Sequence, residues 1–176
     1  MTDDVERLFR THHAHLVRYL SRRLGDRDWA EEVAQETFVR ALRQPGTLTN
    51  ERAWLFTVAN NLVRDQARMD ARRRRHLQLL REEHADDQVE PVSNALERAQ
   101  DAARARRALD ELAERDRLAL LMREEGLDYG EIAEALDLSI GSVGTTLSRA
   151  RRRLAEAYEA LERGGSGRAG GGHAAS

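Results

Sequence analysis

The chain has no cysteine. That excludes a disulfide framework, a thiolate metal site and a cysteine nucleophile. It has no lysine either: all 29 basic residues are arginine, so a phosphate-cradling loop that depends on a lysine is ruled out. Prolines number two, Pro45 and Pro91, and aromatics make up 5% of the residues. No apolar run approaches the length of a membrane span, and no stretch alternates apolar and polar residues as a half-buried strand would. The first residues, MTDDVERLFR, are acidic and lack an apolar core, unlike a secretory signal. The expected location is the cytoplasm.

What remains is helix. With 40% hydrophobic and 34% charged residues over 176 positions, the chain suits one ordinary domain or two small ones. Net charge is only −2, yet the charges are segregated. Arginines gather at Arg64–Arg75 and Arg149–Arg153, acids at Glu82–Glu90 and Asp110–Asp137. Local basic faces on a near-neutral whole matter more for binding than the total.

Helical periodicity places helices at Asp4–Leu24, Trp29–Arg43, Glu51 to about Arg75, Asn94–Leu112 and Glu114–Glu125. The expected inward residues are Val5, Leu8, Phe9, Leu16, Tyr19 and Leu20, then Ala30, Val33, Thr37, Phe38, Ala41 and Leu42, then Trp54, Leu55, Val58, Ala59, Leu62 and Met69. Pro45-Gly46 marks a loop over Gln44–Asn50. An acidic stretch around His84–Ser93 reads as a linker; about twenty extended residues reach some 60 Å, so the two halves need not touch. The Gly/Ser/Ala tail after Arg163 cannot bury a core and is expected to be disordered.

Asp128–Leu154 is the most informative stretch. Tyr129, Ile132, Ala133 and Leu136 share one face. A break follows at Asp137-Leu138-Ser139, with Ser139 placed to cap a second helix. That helix carries Ile140, Val143, Leu147, Ala150 and Leu154 on one side and Ser142, Thr145, Thr146, Arg149, Arg152 and Arg153 on the other. Two short helices, a three-residue break and a polar, basic outer face form a helix-turn-helix pattern. Such a helix fits the DNA major groove; Ser and Thr exchange hydrogen bonds there, and Arg neutralises phosphate or pairs with guanine.

The order of motifs resembles the sigma-70 family of bacterial RNA polymerase sigma factors, in its compact extracytoplasmic function (ECF) subfamily. The likeness runs from about Val5 to Tyr158. Ala30–Leu42 is similar to the helix of region 2 that binds core polymerase. Arg52–Leu62, with Asp65 and the Arg72–Arg75 run, is similar to the segment that melts and reads the −10 element. Leu112–Leu154 is similar to region 4, which reads the −35 element.

The resemblance implies an all-α fold of two small domains: region 2 over 1–76 and region 4 over 98–162, with a flexible acidic linker at 77–97 and a tail at 163–176. It implies a promoter-directing factor that is not an enzyme, uses no cofactor and no metal, and has core polymerase, promoter DNA and an anti-sigma factor as partners. Glu32, Gln35, Glu36 and Val39 would meet the clamp coiled coil of the largest polymerase subunit. Thr49 and Asn50 of the loop, with Asn61, Arg64 and Arg68, would meet −10 DNA, the loop capturing a flipped base. Ser142, Thr145, Thr146, Arg149 and Arg153 would meet −35 DNA. Phe56 is placed to stack on bases, and Trp54 either to stack likewise or to fill the core.

Gly144 and Thr146 depart from the family's basic residues and weaken the expected −35 contact, and Thr57 and Asn60 similarly stand where Arg is common. The alternatives are a stand-alone helix-turn-helix regulator, and an adaptor that binds polymerase or an anti-sigma partner without promoter readout. His12, His13 and His15 carry no metal expectation, lacking cysteines or converging acids.

Overall fold

A computed structural model describes residues 2–44, 46–77 and 94–166. Among them the chain forms α1 (Thr2–Leu24), α2 (Arg27–Arg43), α3 (Glu51–Leu77), α4 (Asn94–Asp110), α5 (Glu114–Glu124), α6 (Tyr129–Leu136) and α7 (Ile140–Ser166). The all-α expectation holds. The helices encroach on both segments expected to be irregular: α3 and α4 cover the ends of 77–97, and α7 continues past 163. The middle of that joint, 78–93, and the tail from 167 lie outside the described residues.

Local chemistry sets the boundaries. Gly25 ends α1 at φ +74, the left-handed conformation that glycine adopts without strain. Its amide closes on the Ser21 carbonyl at 2.9 Å. Asp26 caps α2, its side chain accepting from the Trp29 amide. Asn50 Oδ1 accepts from the Ala53 amide at 3.2 Å where α3 begins. Asp128 and Glu131 form a reciprocal capping box on α6, each bond 2.8 Å long.

The break after α6 is a Schellman turn. The Leu138 amide reaches the Ala133 carbonyl at 2.8 Å, and Asp137 sits at φ 53. An L-residue there costs about 1 kcal/mol or somewhat more, Asp being among those that tolerate it best. Asp137→Gly is therefore expected to raise stability by roughly 0.5–1 kcal/mol. A higher urea midpoint at unchanged slope would show it; a lower midpoint would mean that the Asp137 side chain contributes something else.

α1, α2 and α3 form one bundle, and α4 to α7 form the other. Leu16, Tyr19 and Leu20 meet Val33, Phe38, Leu55 and Phe56 in the first; Leu118, Met122, Ile132, Val143 and Leu147 fill the second. Full burial of each such side chain contributes about 1.5–3 kcal/mol before entropy is counted. Phe9, Leu42 and Met69, expected inward, are exposed. On α3, Ala67–Asp70 are all exposed, Met69 among them. Phe9 stacks on His13 with ring centroids 4.2 Å apart instead.

The two bundles touch, through α1 on α5 and α3 on α6. The buried apolar residues of both bundles make one continuous cluster, and ion pairs join the bundles around it. Arg52 donates to both Glu131 oxygens, from Nε at 3.0 Å and Nη2 at 2.7 Å. Buried Glu125 faces His15 at 3.1 Å, Arg18 at 3.2 Å and Arg22 at 3.8 Å. Arg23 reaches Glu114 at 3.0 Å. The reach of the joint leaves the halves free to part; in this conformation Glu114, Glu125 and Glu131 meet arginines of α1 and α3 across the contact.

Candidate nucleic-acid interface

α7 packs by its apolar stripe. Val143, Leu147 and Ala150 are fully buried, and Thr146 lies beside them at 4% exposure. Thr146 was expected on the outer face; the i, i+3, i+4, i+7 spacing from Val143 carries it inward. Its hydroxyl is therefore withdrawn from any ligand on that face. Ile140 is the converse case: expected inward, it is 64% exposed, because the buried stripe starts one turn later at Val143. Tyr129 is also exposed, with the Arg123 guanidinium 5.6 Å from its ring centroid.

The remaining outer residues present a graded face. Thr145, Arg152 and Arg153 are exposed. Ser142 is half-buried, and its hydroxyl donates to the Ser139 carbonyl at 2.8 Å; its lone pairs remain for an incoming donor. Ser139 itself enters the helix through that carbonyl, which also accepts from the Ser142 amide at 3.0 Å. Arg149 is half-buried and anchored to Asp116 of α5, Nε at 2.9 Å and Nη2 at 2.5 Å. That bidentate hydrogen bond holds the Asp116 carboxyl below the ordinary carboxylate range and raises the Arg149 guanidinium. Among the described residues, a Cβ added at Gly141 meets nothing within 4 Å and one at Gly144 only Tyr129, at 3.6 Å. The first turns of α7 thus present nearly bare backbone.

On α3, Asn61, Arg64 and Arg68 are exposed at helical spacing, with Asp65 among them. Thr49 is exposed in the preceding loop. Asn50 is half-buried, its oxygen spent on the cap of α3. Asn60 differs from its expected place near this face: it is buried. Tyr19 donates to its Oδ1 at 2.7 Å and Arg23 Nη1 donates to the same atom at 2.6 Å. Burial pushes the Tyr19 phenol up to about 12. Phe56, expected to stack on bases, is instead fully buried against Tyr19, where no base can reach its face; Trp54 is half-buried.

The α2 face is separate from both. Glu32 and Gln35 are exposed, Glu36 and Val39 half-buried. Glu36 accepts from Arg40 Nε at 3.1 Å. Near the start of α3, Arg7 donates to Glu51 and holds its carboxyl down. Burial lowers the His12 imidazole in the same cluster.

Sequence reasoning missed Asp116 and the acids that join the bundles, and it placed Asn60 on the −10 side when it is buried. Asp116 and Arg149 are 33 positions apart, so no local periodicity links them. Among the described residues no helix is long and apolar enough to cross a membrane.

Two family models match the chain. One described as Sigma-70 region 2 covers residues 8–74, and one described as Sigma-70, region 4 covers 102–154. The RNA polymerase sigma factor YlaC of Bacillus subtilis is 31% identical, over 86% of this chain and 90% of its own length. The ECF RNA polymerase sigma factor SigL of Mycobacterium tuberculosis is 36% identical, over 84% of each. Among solved structures, the sigma factor RpoE in complex with the anti-sigma factor NepR from Bartonella quintana superposes with a TM-score of 0.64 at 26% identity, over 90% of this chain and 98% of that one. CnrH, solved with the cytosolic domain of CnrY, shares the fold with a TM-score of 0.63 at 24% identity.

Proposed function

Because this chain belongs to the sigma-70 family of RNA polymerase sigma factors, in its ECF branch, we propose a division of its surfaces among core polymerase, −10 DNA and −35 DNA. As a sigma factor it directs promoter-specific initiation. It supplies binding and positioning, and the polymerase supplies the chemistry, which places its work in the cytoplasm.

Glu32, Gln35, Glu36 and Val39 of α2 take the clamp coiled coil. The observation that supports this is a mixed acidic and apolar patch lying outside the core stripe of Ala30, Val33, Ala34, Thr37, Phe38 and Ala41. Asn61, Arg64 and Arg68 of α3 take the −10 strand, with Thr49 on the loop. Ser142, Thr145, Arg149 and Arg153 take the −35 duplex, leaving Thr146 to the core. Residues 1–76 and 98–162 are the two working units. A stand-alone helix-turn-helix regulator is not favoured, since the region 2 match spans most of the first bundle. A protein antagonist of the anti-sigma class is a partner in keeping with the RpoE–NepR likeness.

The packed bundles add a requirement. The −10 and −35 elements lie about 25 base pairs apart, about 85 Å along the duplex. Units that touch through α3 and α6 cannot span that distance. The ionic contact of Arg52 with Glu131, and the basic ring around Glu125, therefore open when both elements are bound. Opening parts the buried Glu125 carboxylate from its basic partners and separates apolar residues at the contact, so binding to polymerase and promoter has to offset that cost.

The cysteine-free chain makes the test direct. Asp28→Cys and Glu156→Cys place two dyes on exposed helix positions, one in each unit. Energy transfer is expected to be high in the free chain and to fall when core polymerase and a promoter duplex are added. A stable ternary complex with unchanged transfer would contradict the opening. Failure to bind core polymerase would contradict the role of α2.

A further inference from the structure

We propose that Asp116 is a positioning residue for promoter recognition: it fixes which edge of Arg149 is offered to the −35 duplex. The inference rests on the assignment of Arg149 to −35 DNA made above.

Asp116 lies in the first turn of α5, outside the helix-turn-helix itself. Its side chain is 2% exposed, whereas that of Arg149 is 40% exposed. The pair therefore straddles the surface, with a dry carboxylate beneath and a wet guanidinium above. Asp116 takes Nε and Nη2 of Arg149. Those two nitrogens form one edge of the planar guanidinium. The edge that remains, Nη1 with the second hydrogen of Nη2, is a two-pronged donor. It matches a pair of acceptors on one base edge, such as guanine O6 and N7. A free arginine on a helix surface samples many directions; this one has its fork set before DNA arrives. Preorganisation of this kind lowers the ordering cost of binding. Arg149 keeps Asp116 ionised through the neutral range, so the anchor is present under working conditions.

A simple charge argument gives the opposite sign. An acid beneath a DNA-facing surface repels phosphate, so removing it should tighten binding to every sequence. Positioning requires instead that its removal erode discrimination between sequences.

The experiment uses holoenzyme rebuilt from the full chain and core polymerase. A duplex is enriched from a pool randomised upstream of a fixed −10 element, and a scrambled version of its enriched positions serves as the control. The readout is the ratio of the two affinities. Asp116→Asn is expected to lower that ratio about tenfold, with affinity for the scrambled duplex unchanged or higher. Arg149→Ala is expected to lower the ratio about as much, and the double variant no further. Arg149→Lys lacks the fork but keeps a positive charge beside Asp116 at a half-buried position, so it serves as the second variant should Asp116→Asn unfold the unit. It too is expected to lose about tenfold in the ratio. Asp116→Asn or Arg149→Lys with an intact ratio, or equal gains for both duplexes, would overturn the positioning role. An intact ratio in Arg149→Ala would overturn the assignment of Arg149 itself, and the positioning role with it.

Discussion

Replacing Gln35 and Glu36 together by alanine is expected to lower affinity for core polymerase about thirtyfold, the effect of losing one strong contact cluster at an interface. The fold should survive. Gln35 is exposed and Glu36 half-buried, both outside the buried stripe of α2. The internal cost is one i, i+4 pair, Glu36 with Arg40, about 0.3–0.5 kcal/mol. Duplex binding by α7 should be unchanged, since α7 packs chiefly on α4, α5 and α6. Titration of labelled core polymerase against the variant measures the first effect, and a thermal melt checks the second. A variant that keeps core affinity but loses duplex binding would show that the two faces have been assigned the wrong way round.

Phe56→Ala is expected to destabilise the first bundle by about 3–5 kcal/mol. The ring is fully buried, 4.9 Å from the Tyr19 centroid. Its removal leaves a cavity beneath the side chain that also donates to Asn60. Loss of packing and disturbance of the Tyr19–Asn60–Arg23 network then fall together, because neighbours in one network do not act independently. Since total stability is typically only 5–15 kcal/mol, the variant should be partly unfolded at 37 °C. A urea titration reads this directly. A Phe56→Ala protein of near-wild-type stability that fails to bind −10 single strand would instead support base stacking by this ring.

The fold was legible because helices announce themselves by period and by punctuation. Gly25 with Asp26, and Pro45 with Gly46, mark boundaries within a residue or two of those observed. Side-chain direction was harder to read. Thr146 is polar, and polarity suggested the outside, whereas its place between Val143 and Ala150 turns it inward. Ile140 and Tyr129 are apolar, and apolarity suggested the inside, whereas the first turn of α7 lies beyond its neighbours. Met69 failed for a related reason: amphipathic period continues along α3 into Ala67–Asp70, which are all exposed.

Two kinds of information had no local signal. One is pairing across the chain, as in Asp116 with Arg149 or Arg52 with Glu131. Each acid and base, read alone, is a solvated helix residue. The other is the double use of a side chain. Asn50 reads as a loop amide near DNA, yet its oxygen caps α3. Glu131 completes the box on α6 and also receives Arg52. Conflicts of this kind are resolved by tertiary geometry and not by propensity. The exposed faces proposed for binding were legible as faces, because they are made of residues left over once each helix has spent its apolar stripe.

Promoter-dependent run-off transcription tests the promoter-directing role most directly. Purified core polymerase is assayed on a pool of linear promoter templates, with and without this chain. The expected result is discrete run-off products that appear only when the chain is added and that disappear with Gln35→Ala/Glu36→Ala. Tight binding of the chain to core polymerase with no such product would contradict that role and leave a polymerase-binding protein that does not read promoters.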